Sequence, residues 1–203
     1  LRLHNQYGLT KYDVITEKGE KWMDEIAVET FNMTGQFEDV NVMGLEPYEN
    51  LTNCTAAPYA SYLLNKESMN EKDLNNAIDL IRLSEDQFTF WNTTPNEYGL
   101  RMMATPCVFE QYKYQKPVDH SAHNVAMAFL DLYEKTGDKL AFAKAKALVD
   151  NMTIVQNKGN GQMPTTWDFR TPYHDSNRSF WTNCTYAAVT ALLRMAEITE
   201  NEK

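Results

Sequence analysis

The sequence has few cysteines, no long hydrophobic run and no cluster of basic residues. Its three cysteines, Cys54, Cys107 and Cys184, lack C-x-x-C spacing, which argues against a disulfide framework or a zinc site and predicts small buried residues. No apolar stretch approaches the roughly 18 residues of a membrane-spanning helix, so no membrane span is expected. The net charge of −9 argues against nucleic-acid binding, because phosphates are neutralised by clustered Lys and Arg.

The signature motifs of several enzyme classes are also missing. The sequence contains no nucleophile elbow, P-loop, G-x-G-x-x-G or H-E-x-x-H, which argues against common hydrolases, nucleotide-binding proteins and zinc proteases. We therefore expect no cofactor. The chain opens on Leu1-Arg2-Leu3-His4, without an initiator Met or an apolar leader, so we expect it to be a piece of a longer polypeptide.

Aromatic residues are plentiful, with eleven Tyr, nine Phe and four Trp. Aromatic rings are common in cores, and they are also common in sugar sites, where a flat ring stacks on a pyranose face. A chain of 203 residues is long enough to bury one sizeable core.

Helical periodicity organises most of the chain. Six segments carry apolar residues at i, i+3, i+4 and i+7, at about residues 17–31, 55–64, 70–81, 120–136, 139–152 and 185–198. Asn70 and Asp138 are predicted N-caps, and Gly137 is predicted to end the fourth helix in the left-handed conformation. The predicted fold class is all-α.

The connections between these helices are unequal in length. Helices two and three, and helices four and five, are joined by a few residues and should form antiparallel hairpins. Roughly 20 to 35 residues precede each of helices two, four and six, and loops of that length are usually functional. Because neighbouring helices alternate in direction, all three long loops should emerge at one face.

A weak internal repeat supports this arrangement. The tetrapeptide T-N-C-T occurs at residues 52–55 and again at 182–185, each time before a helix rich in small residues. Between the two lies Asp119-His120-Ser121, which opens helix four, so helix starts recur roughly every 65 residues. Each T-N-C-T is also consistent with a simple capping segment that buries a small cysteine.

The long loops bring acids, histidines and aromatic residues to the predicted face. Glycosidic cleavage needs one carboxyl group as acid and another as base or nucleophile. Elimination from a uronic acid needs instead a Tyr or His that moves protons and a group that binds the carboxylate. Composition does not choose between the two. The candidate catalytic residues are Glu110, Asp168, His120 and His123, and the candidate substrate-binding residues are Trp91, Tyr112, Trp167, Arg170, His174 and Trp181.

Each candidate has a structural alternative. Asp168 and Arg170 are also consistent with a surface ion pair beside a buried Trp167. His120 and His123, spaced i, i+3 at a helix start, are often structural. No third ligand accompanies these histidines, so no metal is expected.

The stretches HSAHNVAMAFLDLYEKTGDKLAFAKAKALVDNM and GNGQMPTTWDF, the latter leading to WTNCTYAAVTALLRMAEI, resemble the (α/α) toroid of six-hairpin glycosidases, polysaccharide lyases and sugar epimerases. The resemblance covers roughly residues 50–200 and implies inner helices alternating with outer ones around a cleft at the inner N-terminal ends. It implies a saccharide substrate, an extracytoplasmic location and most simply a glycoside hydrolase. Three hairpins are half of such a toroid, so residues 1–203 are predicted to be a single domain from its C-terminal half.

Two other interpretations of the sequence remain open. LYEKTGDKLAFAKAKAL is similar to a tetratricopeptide helix pair, which would imply a non-catalytic scaffold that binds glycan or protein, although the period of roughly 65 residues differs from 34. The chain is also consistent with a purely structural domain of a larger enzyme.

Overall fold

A computed structural model describes residues 6–30, 53, 55–91, 105–110, 117, 119–156, 160–166 and 182–201. These residues are predominantly helical, as predicted, with a single pair of two-residue strands among them. The elements, in chain order, are a 3-10 turn (Thr10–Tyr12), α1 (Asp13–Trp22), a π-helical segment (Met23–Ala27), α2 (Val28–Thr30), α3 (Ala56–Leu64), α4 (Glu71–Phe88), β1 (Thr89–Phe90), β2 (Cys107–Val108), α5 (Asp119–Thr136), α6 (Lys139–Val155) and α7 (Thr182–Asn201).

The helix boundaries follow from local chemistry. Asn70 and Asp73 form a reciprocal capping box at the start of α4. Gly137 ends α5 with φ +73°, and its N–H donates to the carbonyl of Tyr133. Asp138 then accepts from the N–H of Leu140 and begins α6. These predicted caps are confirmed, because each depends only on residues within one helical turn.

The helices form an inner row and an outer row. The inner helices α3, α5 and α7 pack side by side, with α5 in the middle. The outer helix α4 packs against α3 and α5, and the outer helix α6 packs against α5 and α7. Short turns join α3 to α4 and α5 to α6, so both pairs are the antiparallel hairpins that the sequence predicts.

The core lies between the two rows. Its largest fully buried apolar side chains belong to α3, α4, α5 and α6 and include Leu63, Leu64, Phe88, Leu130 and Leu148. Each contributes about 1.5–3 kcal/mol by leaving water. Small residues such as Ala60 and Ala126 are also fully buried and let the inner helices approach closely.

The N-terminal helix, defined here as α1, the π-helical segment and α2 together, departs from its predicted form. It starts at Asp13, four residues before the predicted Glu17, and includes a π-helical segment that no periodicity indicated. Of the predicted apolar stripe, Met23 and Ala27 are buried, whereas Trp22 and Ile26 remain exposed. Phe31 lies outside the described residues.

Hydrogen bonds attach the N-terminal helix to the first hairpin. The hydroxyl of Tyr59 donates to Asp24 Oδ1 at 2.8 Å, and that of Tyr62 donates to Glu20 Oε2 at 2.9 Å. Lys66, in the turn between α3 and α4, pairs with Glu20. None of the helices in the described part of the chain is long and apolar enough to cross a membrane.

Candidate functional site at the starts of the inner helices

The N-terminal ends of α3, α5 and α7 lie at one end of the inner row, which we call the start face. Contacts among the described residues support this arrangement: Asn53, just before α3, bonds Glu110, and Phe109 forms a bridge with Pro117, just before α5. The long connections all lead into these ends. The predicted convergence of the loops thus holds for the stretches of them that the structure describes.

One such stretch, residues 105–110, is held by contacts with three other parts of the chain. Its strand β2 pairs antiparallel with β1 at the end of α4, matching Thr89 with Val108 and Phe90 with Cys107. The side-chain amide of Asn151, near the end of α6, donates to the carbonyl of Pro106 at 2.8 Å. The N–H of Asn53 donates to the carbonyl of Glu110 at 2.7 Å. This strand pair was not predicted from the sequence, because it joins segments 18 positions apart and no turn motif between them indicates a hairpin.

Glu110 is the described candidate acid, and it is the last residue of the stretch 105–110. Its side chain is largely buried, with 8% of the residue exposed. Its backbone is tied to Asn53, just before α3, and the neighbouring Phe109 forms a bridge with Pro117, just before α5. Glu110 is therefore held between the starts of two inner helices.

His120 lies in the first turn of α5 and is partly exposed. Its Nδ1 is 3.2 Å from the side-chain amide nitrogen of Asn124, one turn further along the helix. With the amide as donor, the neutral ring carries its proton on Nε2.

His123 lies one turn further into α5 and is buried, with only 1% of the residue exposed. Both candidate histidines are thus on the same inner helix, but only His120 has appreciable exposure. The spacing correctly put them within one helical turn. The difference in burial depends on which face of α5 meets its neighbours, and only the packing of the helices decides that.

Two further polar residues at the start face were not among the predicted site residues. Asn53 and Ser121 are buried, and the amide nitrogen of Asn53 and the hydroxyl of Ser121 have no hydrogen-bond partner among the described residues. Buried polar groups in this state are rare in proteins and often mark a water or ligand position. Asn53 also accepts a 2.6 Å hydrogen bond from Ser84 on α4. The T-N-C-T repeat was the available signal for Asn53.

The loop before α7 reaches the start face as well. The N–H of Met163 donates to the hydroxyl of Thr185 in the first turn of α7, at 3.2 Å, and Met163 and Thr165 are buried. The second T-N-C-T begins α7 itself, and its Cys184 is buried there, as the capping interpretation of this segment expects. All three inner helix starts are therefore lined by described stretches of the long loops.

Trp91 lies away from these residues. Its indole N–H donates to Glu85 at 3.0 Å, its ring packs against Phe129, and the ammonium of Lys144 lies 5.8 Å from its centroid. Phe129 is nearly three turns beyond the start of α5. The ring is thus held between outer and inner helices, and its predicted contact with substrate stays a prediction.

The other predicted site residues lie outside the described residues. They are Asp168, Tyr112, Trp167, Arg170, His174 and Trp181. Within the described ranges, no three His, Cys, Asp or Glu side chains group in a way that would hold a metal ion.

Comparisons with known proteins bear on the fold. No protein-family model matches the chain, and no curated protein matches it. Among solved structures, the crystal structure of a sugar epimerase from a ruminal bacterium is similar, with a TM-score of 0.50 and 14% sequence identity. The alignment covers 89% of this chain and 48% of the epimerase chain. The chain therefore shares the fold of that protein over about half of the epimerase's length.

Proposed function

We propose that the chain belongs to a carbohydrate-active enzyme that acts by general acid–base catalysis at the start face. The observation that carries the proposal is the position of His120. His120 is partly exposed at the start of a central inner helix, and residues 105–110 hold the buried Glu110 between two helix starts. A proton donor or acceptor of this kind contributes typically 10²–10⁴-fold to a reaction rate.

Sugar epimerisation is the first candidate reaction. It requires one group that removes a proton from a carbon and another that returns it, and imidazoles are suited to both steps near neutral pH. His120 is the residue that we assign to proton transfer at the substrate. His123, one turn further along α5, is buried and is not assigned to contact with the substrate. The similarity to a sugar epimerase supports this candidate at the level of fold.

Glycoside hydrolysis is the second candidate, and Glu110 favours it. A largely buried carboxyl group held between two helix starts has the character of a catalytic acid in such enzymes. Its partner would be Asp168. We propose that the sugar in either reaction is bound by five other candidates, Trp167, Arg170, His174, Trp181 and Tyr112. An extracytoplasmic location fits both reactions.

The two reactions are separated by their products. The protein is incubated in D₂O with a panel of reducing sugars and of oligosaccharides, and the products are followed by NMR and mass spectrometry. Epimerisation gives an isomer that has gained deuterium at the inverted carbon. Hydrolysis gives shorter sugars with new reducing ends, and elimination gives an unsaturated sugar. Binding without any product would contradict the enzyme proposal and favour a glycan-binding scaffold.

We predict that His120→Asn lowers kcat of an epimerisation by about 10²–10⁴-fold, because it removes the proton-transferring group. Asn124→Ala should have a smaller effect, since it removes only the partner of Nδ1. Lys146→Ala, on the exposed side of α6, is the control and should leave kcat unchanged. Equal rates for the His120 variant and the control, with circular dichroism showing both folded, would remove His120 from the mechanism.

Glu110→Gln divides the two candidates further. If hydrolysis is the reaction, this variant should lose activity at least as strongly as the His120 variant, because the acid itself is gone. If epimerisation is the reaction, the His120 variant should show the larger loss.

A further inference from the structure

The two edges of the helical rows differ in the surface that they expose. At one edge lies the N-terminal helix, which is bonded to Tyr59 and Tyr62 of α3. At the other edge lies α7, an inner helix. Among the described residues, the N-terminal helix contacts the inner helix α3, and α7 packs against α5 and α6.

The open side of α7 carries an apolar ridge. Tyr186, Val189 and Leu193 are 73%, 46% and 60% exposed, and their i, i+3, i+7 spacing aligns them along one face. The opposite face of α7, with Ala188 and Ala191, is buried against the inner row. Three large apolar side chains in one exposed row are typical of a surface that another helix covers.

The opposite edge carries a groove. A cleft of about 520 Å³ lies between the N-terminal helix and α3, and most of its exposed lining is apolar. Trp22, Met23, Pro58 and Tyr59 contribute to its walls. Trp22 is 51% exposed although it is the largest apolar residue of α1. This edge therefore offers a groove, whereas the α7 edge offers an exposed row of apolar side chains.

The packing within the chain shows what such a groove accommodates. The inner helix α3 lies between the outer helix α4 and the next inner helix α5, and it contacts both. The groove is likewise bounded by a helix on each side, the N-terminal helix and the inner helix α3. An inner helix fits there. At 20 residues, or about 30 Å, α7 is about as long as the N-terminal helix from 13 to 30.

We propose that two copies of this chain form a twofold-symmetric dimer, in which each copy inserts its α7 ridge into the groove of the other. A twofold axis parallel to the inner helices relates the copies, so both contacts form at once and the assembly closes. The same axis keeps all inner helices parallel, which brings the two start faces together around one cleft. Because one chain corresponds to about half of the epimerase chain, two copies supply about one such chain.

The mass of the protein in solution tests the association directly. We expect light scattering and sedimentation at micromolar concentration to give twice the 23.4 kDa of one chain. Leu193→Glu, which places a charge on the ridge, should give the single-chain mass. Leu140→Glu is the matched control, since Leu140 is equally exposed, at 60%, but lies on the outer helix α6. A single-chain mass for the unaltered protein overturns the proposal.

Mixing two variants tests whether the ridge of one copy contacts the groove of the other. Trp22→Glu in the groove and Leu193→Glu on the ridge should each abolish the dimer. Mixed together, they should form a dimer again, because one of the two contacts then joins an unaltered ridge to an unaltered groove. A Trp22→Glu variant that stays dimeric would indicate a ridge-to-ridge contact and overturn the geometry, as would open polymers of the unaltered protein. These readouts measure mass, so they are independent of any activity.

Discussion

At the scale of single residues, the buried charges stand out, and Asp131 is one of the buried carboxylates among the described residues. It lies on α5 and is almost fully buried. Burial raises the pKa of its carboxyl group, and Glu134 raises it further, whereas a hydrogen bond from Asn65 and the charge of Arg194 oppose the shift. Asp131 thus lies between Asn65, at the C-terminal end of α3, and Arg194 on α7.

This raised pKa makes the stability of the fold depend on pH. Below about pH 4 the carboxyl is protonated in both the folded and the unfolded chain. As the pH rises, the unfolded chain ionises first, so the folded state loses stability until the pH passes the folded-state pKa. We predict that the free energy of unfolding of the Asp131→Asn variant rises relative to that of the unaltered protein as the pH increases over this range. The difference should grow by about 1.4 kcal/mol for each pH unit by which the pKa is raised.

Urea denaturation between about pH 4 and pH 8 measures this difference. Asp86→Asn, an exposed carboxylate on α4, is the control and should stay within about 0.5 kcal/mol of the unaltered protein throughout. A difference between the Asp131 variant and the unaltered protein that does not change with pH would show that this carboxyl does not titrate as described.

The cysteines are also explained at this scale. Cys107 and Cys184 are buried and reduced, as the absence of C-x-x-C spacing predicted for them. Burial raises the pKa of the Cys107 thiol to about 12. Cys107 is therefore a small apolar side chain of β2 rather than a nucleophile.

At the scale of elements, the question is how the N-terminal helix is held to the first hairpin. Lys66 contacts Glu20 of α1 and lies 2.9 Å from Asp73 of α4. Burial alone would lower the pKa of Lys66, but the hydrogen bonds to these two carboxylates raise it above its ordinary value. Tyr62 donates to the same Glu20, and its burial and this bond raise the pKa of its hydroxyl to about 12. The ammonium thus joins three elements at one point.

We predict that Lys66→Ala lowers the free energy of unfolding by about 3 kcal/mol, because it leaves the buried carboxylate of Asp73 without its cation. It should also loosen the N-terminal helix, which hydrogen exchange over residues 13–30 would detect. The control is Lys146→Ala, whose exposed pair with Asp150 on α6 should contribute at most about 0.5 kcal/mol. Equal losses in the two variants would contradict the assigned role of Lys66.

The outer helices carry a second link of this kind. Lys144 on α6 pairs with Glu85 on α4 at 2.5 Å, and its ammonium also lies 5.4 Å from the ring of Phe129. The pair joins the outer helices of the two hairpins, and both of these helices pack against α5. Since Trp91 donates to the same Glu85, the indole is part of this link.

At the scale of the whole molecule, the two proposals can be connected. If the cleft is completed by a second copy, the activity per chain should depend on the concentration of the protein. We predict that specific activity falls on dilution over the same range in which the mass falls to that of one chain. The reason is mass action on the dimer. Activity per chain that stays constant while the dimer dissociates would mean that one chain holds a complete site.

Much of the fold was predictable because its signals are local. The stripe of α5, the capping box at Asn70 and the stop at Gly137 each involve residues within about two turns, and the structure confirms all three. The long loops were equally visible, since their lengths alone implied three connections into one face. The predicted pair of neighbouring histidines at the start of α5 is likewise a property of helical spacing.

What only the tertiary structure decided involves contacts between distant segments. The pairing of β1 with β2, the fastening of Glu110 to Asn53, the burial of His123 and the position of Trp91 beside Lys144 each join parts of the chain that no periodicity relates. The exposure of Trp22 has the same origin, because a stripe shows which face of a helix is apolar but not whether a neighbour covers it. The sequence by itself therefore determined helices, caps and loop lengths, whereas packing between helices decided which apolar faces are buried and which remain open.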